Sequence, residues 1–375
     1  MSNNLKFTAA HSSTFYATLR GRVDAYFAGQ GISSHANGAM WFKAIFFLAG
    51  YVVLYGLILS NLFGVWAMLG LSIVLGVFAA CIGFNVSHDG LHGAFSARPW
   101  VNRLMGNSFY LLGANPYVWK LTHNVVHHTY TNIPGHDEDI ELAPGLVRLN
   151  PEDPLFAWHR FQHIYTFPLY ALASLSWVAR KDYKKFYQKQ IGQHKTPKHP
   201  RREHINLFVG KGLYYIAFLI VPYLVLPLAW WQVLLGFVAM HLAEGLVLGL
   251  VFQLAHVVEG TEFPLPHGSG TMPDTWASHQ LQTTANFAPS SPVAAFICGG
   301  LNRQVEHHLF PKVCHIHYPA LAPIVRATAA EYGLPYLENK SFGSALYSHY
   351  RMLHKLGRPL EKRVKEPVRM SVGAY

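Results

Sequence analysis

The sequence predicts an all-α integral membrane protein with four transmembrane helices in two hairpins and a cytoplasmic helical cap holding a histidine-rich metal site. Three observations predict it. Apolar residues make up 51% of the 375 and charged residues only 13%, against about 25% charged in an average soluble domain. Four apolar segments approach the ~20 residues a spanning helix needs. Seven histidines stand in three tight groups, each just outside an apolar stretch.

Residues 1–40 form a cytoplasmic N-terminal segment. It is polar and lacks the short apolar core of a signal peptide, so the first spanning helix must direct insertion itself. Residues 41–86 form the first transmembrane hairpin: one helix over 41–60, a break at 61–64, and a second over 65–84. Residues 87–206 form cap and carry the first two histidine groups. The second hairpin, 207–256, has helices over 208–228, with Pro222 and Pro227 kinking the end, and over 231–254. Residues 257–375 complete the cap, carry the third group, and end in a charged, loose tail beyond Leu356. Shorter apolar runs at 165–179 and 293–301 are too short to span and lie along the interface or under the cap.

Charge gives the orientation. The formal net charge is +11, and neither hairpin turn carries a Lys or Arg. The basic residues gather before the first span, between the hairpins and after the fourth span. The positive-inside rule then places both termini and the histidine groups in the cytoplasm. Attraction to an anionic leaflet explains this balance better than nucleic-acid binding, because the cations sit in loops beside apolar spans. The 180–202 stretch reads as a solvated basic face near headgroups. Cys81, Cys298 and Cys314 make neither a disulfide framework nor a CxxC site, and fit a reducing compartment.

The histidine groups are His88-x-x-x-His92, His123-x-x-x-His127-His128 and His307-His308. Spacing of i,i+4 puts two rings on one face of a helix; His128 lies about a quarter turn further round an α-helix. His256, at the end of the fourth span, has the same predicted depth and joins the candidate ligands. Scattered surface histidines are the plainer reading, but three groups at matching depth argue against it. Zinc sites use three or four protein ligands, often with cysteine. Eight histidines are too many for one metal, so two metals of the iron, manganese or copper kind fit better, and iron with open positions suits oxygen activation. No catalytic residue beyond the ligands is called for.

Histidine ligands commonly donate their other ring N–H to a carboxylate or carbonyl. Asp89, Asp137, Asp139, Glu259 and Glu306 are candidates for that role, with Asn124, Asn132 and Gln304 as neutral ones. Gln304, three residues before His307, is placed to touch a metal directly or through water. His241 and Glu244 fall within the fourth span and are expected to pair with each other. His315 and His317 are near the third group but are not read as ligands.

The ordered boxes HxxxH, HxxxHH and QxxHH resemble those of the membrane fatty acid desaturases. The third box, Gln304 to His308 before Leu309-Phe310-Pro311, is similar to the front-end subgroup (Δ5/Δ6-type, linoleoyl-CoA desaturase-like). So are Asn286-Phe287-Ala288, Gly299-Gly300-Leu301-Asn302, His317-Tyr318-Pro319 and Ala322-Pro323-Ile324-Val325. The likeness runs from about residue 15 to 350. It implies a centre of two iron ions that activates O2 and removes two hydrogens from an acyl chain, on CoA or lipid. The matching ligand positions are His88, His92, His123, His127, His128, His307 and His308, with His256 as the extra ligand. Front-end members often carry a fused cytochrome b5 domain with His-Pro-Gly-Gly. This sequence lacks that motif, so the resemblance implies an external electron donor, a ferredoxin or a separate cytochrome b5. The implied partners are a fatty acyl substrate, that donor and the bilayer; nucleic acid is not among them. Two other functions compete: a di-iron hydroxylase of lipid, alkane or carotenoid, which would yield an alcohol, and a metal transporter, which would need ligands within the spans.

Overall fold

The computed structural model describes residues 5–8, 13–141, 143–150, 152–196 and 198–359. The charged tail beyond residue 359 lies outside them. Among the described residues, four helices are long and apolar enough to cross a membrane: Gly38–Leu59, Val65–His92, Arg201–Val225 and Trp230–His256. The first opens on an Asn37 cap whose side chain accepts from the Met40 N–H, satisfying one of the free donors of a helix start. Asn61, at φ 54°, turns the chain into the second.

The second helix does not stop at the apolar boundary. It continues through a wide π-type turn at Gly83–Ser87 and ends after His92 at left-handed Gly93. The third helix begins at Arg201, seven residues before the expected start. Its first turn is polar (Arg201, Arg202, Glu203), so hydropathy places the start at the apolar boundary rather than at the helix start. It stops at Val225, after a wide turn at Ile216–Ile220 and Pro222. The fourth is unbroken.

Small residues bring these helices together. A Cβ on Gly76 would lie 2.0 Å from the Met240 carbonyl oxygen, so the second and fourth helices meet backbone to backbone. Gly245 likewise lies against the Ala171 carbonyl. Met40, Phe47, Tyr51, Leu75 and Met240 fill the space between the spans. The outward faces stay bare: Phe42, Ile45, Val52, Leu213, Leu224 and Trp230 are all exposed. An apolar belt of this extent is a lipid-facing surface.

The remaining segments assemble at the end of the bundle where the second and fourth helices finish. The run over 165–179 forms helices Gln162–Ala171 and Ala173–Ser176, packed on the fourth span. Pro99–Asn107 is amphipathic, burying Val101 and Met105 while exposing Trp100 and Leu104. Among the described residues, the fold departs from a purely helical one in two small sheets. Ala285–Phe287 pairs in parallel with Leu337–Asn339, and Gln190–Ile191 pairs with His194–Lys195. Ala285–Phe287 is wholly buried, so its backbone needs partners that no helix there supplies.

Candidate metal centre

His88 and His92 extend from the end of the second helix, one turn apart, with ring centroids 4.5 Å from each other. The second group arrives differently. Asn115 caps Pro116–Trp119 by accepting from the Val118 N–H, and the chain then runs into a wide π turn over Lys120–His127. In such a turn hydrogen bonds run i→i+5, so His128, still about a quarter turn beyond His127, comes round toward His123, which in an α-helix would lie on another face. Their Nε2 atoms are 3.2 Å apart. Gln304–Leu309 is a short buried helix that brings His307 and His308 from the other side. His256 closes the fourth helix.

The eight histidines come together in two sets. Ligand atoms of His88, His92, His123 and His307 all lie within 4.8 Å of one another, and so do those of His127, His256 and His308. His128 stands between the sets. Its Nε2 is 3.0 Å from that of His307, and its ring is 4.4 Å from that of His308.

Four of the rings are oriented from behind. Nδ1 of His127 meets Asp137 at 2.8 Å, and Nδ1 of His123 meets Asp139 at 3.1 Å. Nδ1 of His308 meets the Gln280 amide oxygen at 2.7 Å, and Nδ1 of His256 the Thr283 carbonyl at 3.3 Å. Each partner is an acceptor, so each Nδ1 carries the hydrogen and Nε2 is left bare. A fifth ring, His307, places Nδ1 3.0 Å from the Tyr318 hydroxyl. Nε2 of His92 and Nε2 of His127 are buried with no hydrogen-bond partner, a costly state for a polar atom. A cation bound among these lone pairs would satisfy them together. Eight imidazoles without a thiolate are the donor set of a transition metal, so the residues present fit a metal group.

Electrostatics favours neutral rings. Burial, opposed by Asp139, lowers the pKa of His123 to about 3. Burial and the neighbouring imidazoles hold His128, His307 and His308 well below the ordinary histidine value. His127 is the exception: burial works against its charge, but Asp137 prevails and raises its pKa.

The other candidates take varied places. Asp89 is 3.8 Å from His88 Nδ1 but bonds His315 at 3.0 Å, and His315 in turn meets Lys43 at 2.9 Å. Glu306 turns away from the rings to Tyr336 and Asn286. Glu259 faces outward and pairs with Arg351. Asn124 bonds the Leu91 carbonyl, bracing the first two boxes against each other. Asn132 bonds the carbonyls of His256, Glu262 and Thr283. The Gln304 amide lies 3.2 Å from His256 Nε2 and 3.4 Å from His308 Nε2. In the fourth span, His241 bonds Ser174 and Tyr214, and Glu244 stays 3.6 Å from its ring. His317 bonds the His35 carbonyl. Gln280, Thr283 and Tyr318 were not singled out from sequence, since no spacing rule links them to the rings they hold.

A cavity of about 120 Å³ touches His88, His123 and Gln304. Phe84, Phe109, Trp119, Trp177, Leu248 and Phe252 give it apolar walls, and Asp139, Glu141 and Lys181 give it one polar side. An apolar pocket with a few polar groups is the form of a small-molecule site; here it suits a hydrocarbon chain.

Comparison with known proteins agrees with this chemistry. The sn-1 linoleoyl-lipid 6-desaturase of Synechocystis is 36% identical over 94% of this chain and 98% of its own length. The sn-1 linoleoyl-lipid 6-desaturase of Arthrospira platensis is 37% identical over 95% of the chain and 96% of its own. An acyl-lipid (8-3)-desaturase of Physcomitrium patens is 35% identical over 94% of the chain and 74% of its own length. The fatty acid desaturase family model matches residues 64–340. Buried histidine sets at the ends of apolar helices and similarity along nearly the whole chain lead to one conclusion: the protein is an oxidoreductase of the fatty acid desaturase family.

Proposed function

We propose that the protein inserts a double bond near the carboxyl end of a lipid-linked acyl chain, at the Δ6 or Δ5 position, using two iron ions. The observation that carries this reading is the pair of buried histidine sets beside an apolar cavity. The names of the relatives, linoleoyl-lipid 6-desaturase and acyl-lipid (8-3)-desaturase, support the substrate and the position. One metal would be held by His88, His92, His123 and His307, the other by His127, His256 and His308. His128 serves at the boundary, and Gln304 reaches the second set directly or through water. Asp137 and Asp139 orient their histidines.

When bound, the iron pair supplies the oxidising power. One CH2–CH2 unit and O2, with two electrons delivered one at a time by the donor and two protons from solvent, become CH=CH and two waters. The residues of this chain supply position and dryness. Phe84, Phe109, Trp119, Leu248 and Phe252 hold the hydrocarbon against the His88 and His123 side of the cavity and exclude water. The electrons come from a separate donor, a ferredoxin or a cytochrome b5. Both termini and the histidine centre face the cytoplasm, in keeping with the placement of Lys and Arg.

Expression in a host supplied with defined acyl lipids, with double-bond positions read by mass spectrometry, tests the reading. A double bond near the carboxyl end is expected, together with iron in the purified protein. Replacing His307 or His308 with Ala should abolish the product and lower bound iron in a folded protein. An alcohol product, or active protein without iron, would overturn it.

A further inference from the structure

Among the described residues that line the cavity, Lys181 is the one cation, and it is tethered to the histidine centre. Lys181 Nζ donates to Asp139 Oδ1 at 2.9 Å, and Asp139 Oδ2 accepts from His123 Nδ1 at 3.1 Å. The ammonium also lies 5.4 Å from the centre of the Trp177 ring, another wall residue. It is the more open end of the tether: the Lys181 side chain is 22% exposed and that of Asp139 7%. An ammonium has three donors, and among the described residues Asp139 is its hydrogen-bonded acceptor.

We propose that Lys181 is the subsite for the ester carbonyl of an acyl lipid, and that its tether through Asp139 sets which carbons reach the histidines. The proposal rests on the acyl-lipid reading above and adds the group that measures the chain. Two hydrogen bonds and one carboxylate span about 8 Å at full stretch. Counting from the carbonyl, an extended acyl chain reaches its fifth or sixth carbon within about 6 Å, and its ninth only at about 10 Å. That span ends at the rear Nδ1 of His123, so a carbonyl held at Lys181 brings about the first ten carbons of the chain toward the bare side of the ring and keeps the methyl end away from it.

Charge selects the form of that end. Asp139 and Glu141 line the same polar side of the cavity as the ammonium, and around Glu141 the carboxylates of Asp153 and Asp137 outweigh the one nearby cation, Lys184. A free fatty carboxylate would meet net negative charge. A neutral ester accepts a hydrogen bond from the ammonium without adding charge.

The test uses the iron-loaded protein in nanodiscs, with a dilinoleoyl glycerolipid and its ether analogue, which has CH2 in place of each ester carbonyl. Native mass spectrometry should show the ester bound about tenfold tighter than the ether, the worth of one charge-assisted hydrogen bond. Lys181→Met should bind the two alike and spread the double bond over neighbouring carbon pairs. Glu141→Gln, which keeps size and shape, should bind free linoleic acid about tenfold tighter than the unaltered protein. An ester no better bound than the ether overturns the proposal. So does a Lys181→Met protein that keeps the preference, or a Glu141→Gln protein unchanged toward the free acid. If the unaltered enzyme makes no double bond near the carboxyl end of any acyl lipid, the reading of function itself fails. An unaltered product with an unchanged Lys181→Met preference sinks only the role of Lys181.

Discussion

Asp137 Oδ2 lies 2.8 Å from His127 Nδ1, and both side chains are fully buried. The same oxygen accepts the Asn132 N–H at 2.9 Å, and Oδ1 accepts the Asp139 N–H at 3.1 Å. One carboxylate therefore fixes a ring, a turn and the backbone of the residue that fixes the next ring. Asp137→Asn keeps the shape but presents an N–H or a weaker acceptor to the imidazole. Iron affinity should fall about 10- to 100-fold while the protein stays folded. Metal titration followed by elemental analysis measures this; unchanged affinity would detach Asp137 from the centre.

Gln304 offers a milder substitution. Its amide sits beside two bare imidazole nitrogens, and turning it over would point the oxygen inward. Histidine at this position can also coordinate. Gln304→His should therefore retain iron and keep reduced but measurable activity. Complete loss of iron in that variant would show that the position tolerates no second donor.

The contact between the second and fourth helices predicts a stability effect. Any side chain at Gly76 collides with the Met240 backbone oxygen, which cannot rotate away as a side chain can. Gly76→Val should cost about 1–3 kcal/mol through overpacking. Gly56→Val, where a Cβ meets nothing within 4 Å, should stay within about 0.5 kcal/mol. Thermal unfolding in one detergent compares the two, and equal losses would argue against a close helix contact.

Stripped of iron, the protein should weaken in acid. His123, His128, His307 and His308 favour the neutral form when folded. Unfolded, they protonate near 6.5, so the unfolded chain binds more protons and stability falls with pH. For His123 this window runs from 6.5 down to about 3. His127 opposes the trend, as one ring against four. The Tm of chelator-treated protein should drop between pH 7.5 and 5.5; a rise would mean the rings are charged in the fold.

Much of this centre was legible in the sequence because two simple periodicities announce it. Apolar runs of spanning length locate the helices, i,i+4 spacing marks the first two histidine groups, and an adjacent pair marks the third. What was not legible depends on winding and on distant packing. The wide turn at Lys120–His127 changes the angle at which His128 emerges, and hydropathy carries no mark of it. Gln280, Thr283 and Tyr318 reach their rings from other segments, so no local spacing betrays them. Carboxylates chosen by nearness in sequence divided accordingly. Asp137 and Asp139 meet rings, whereas Glu259 meets Arg351 and Glu306 meets Tyr336. Polar residues opening the third helix hid its true beginning.

The second and fourth helices each finish on a histidine of the cluster, His92 and His256, after crossing the apolar belt without a break in the chain's helical course. The cluster thus hangs from the same two rods that the lipid grips. Squeezing or stretching the hydrocarbon slab around those rods shifts both imidazoles at once, so a short-tailed detergent should loosen iron before it unravels the bundle.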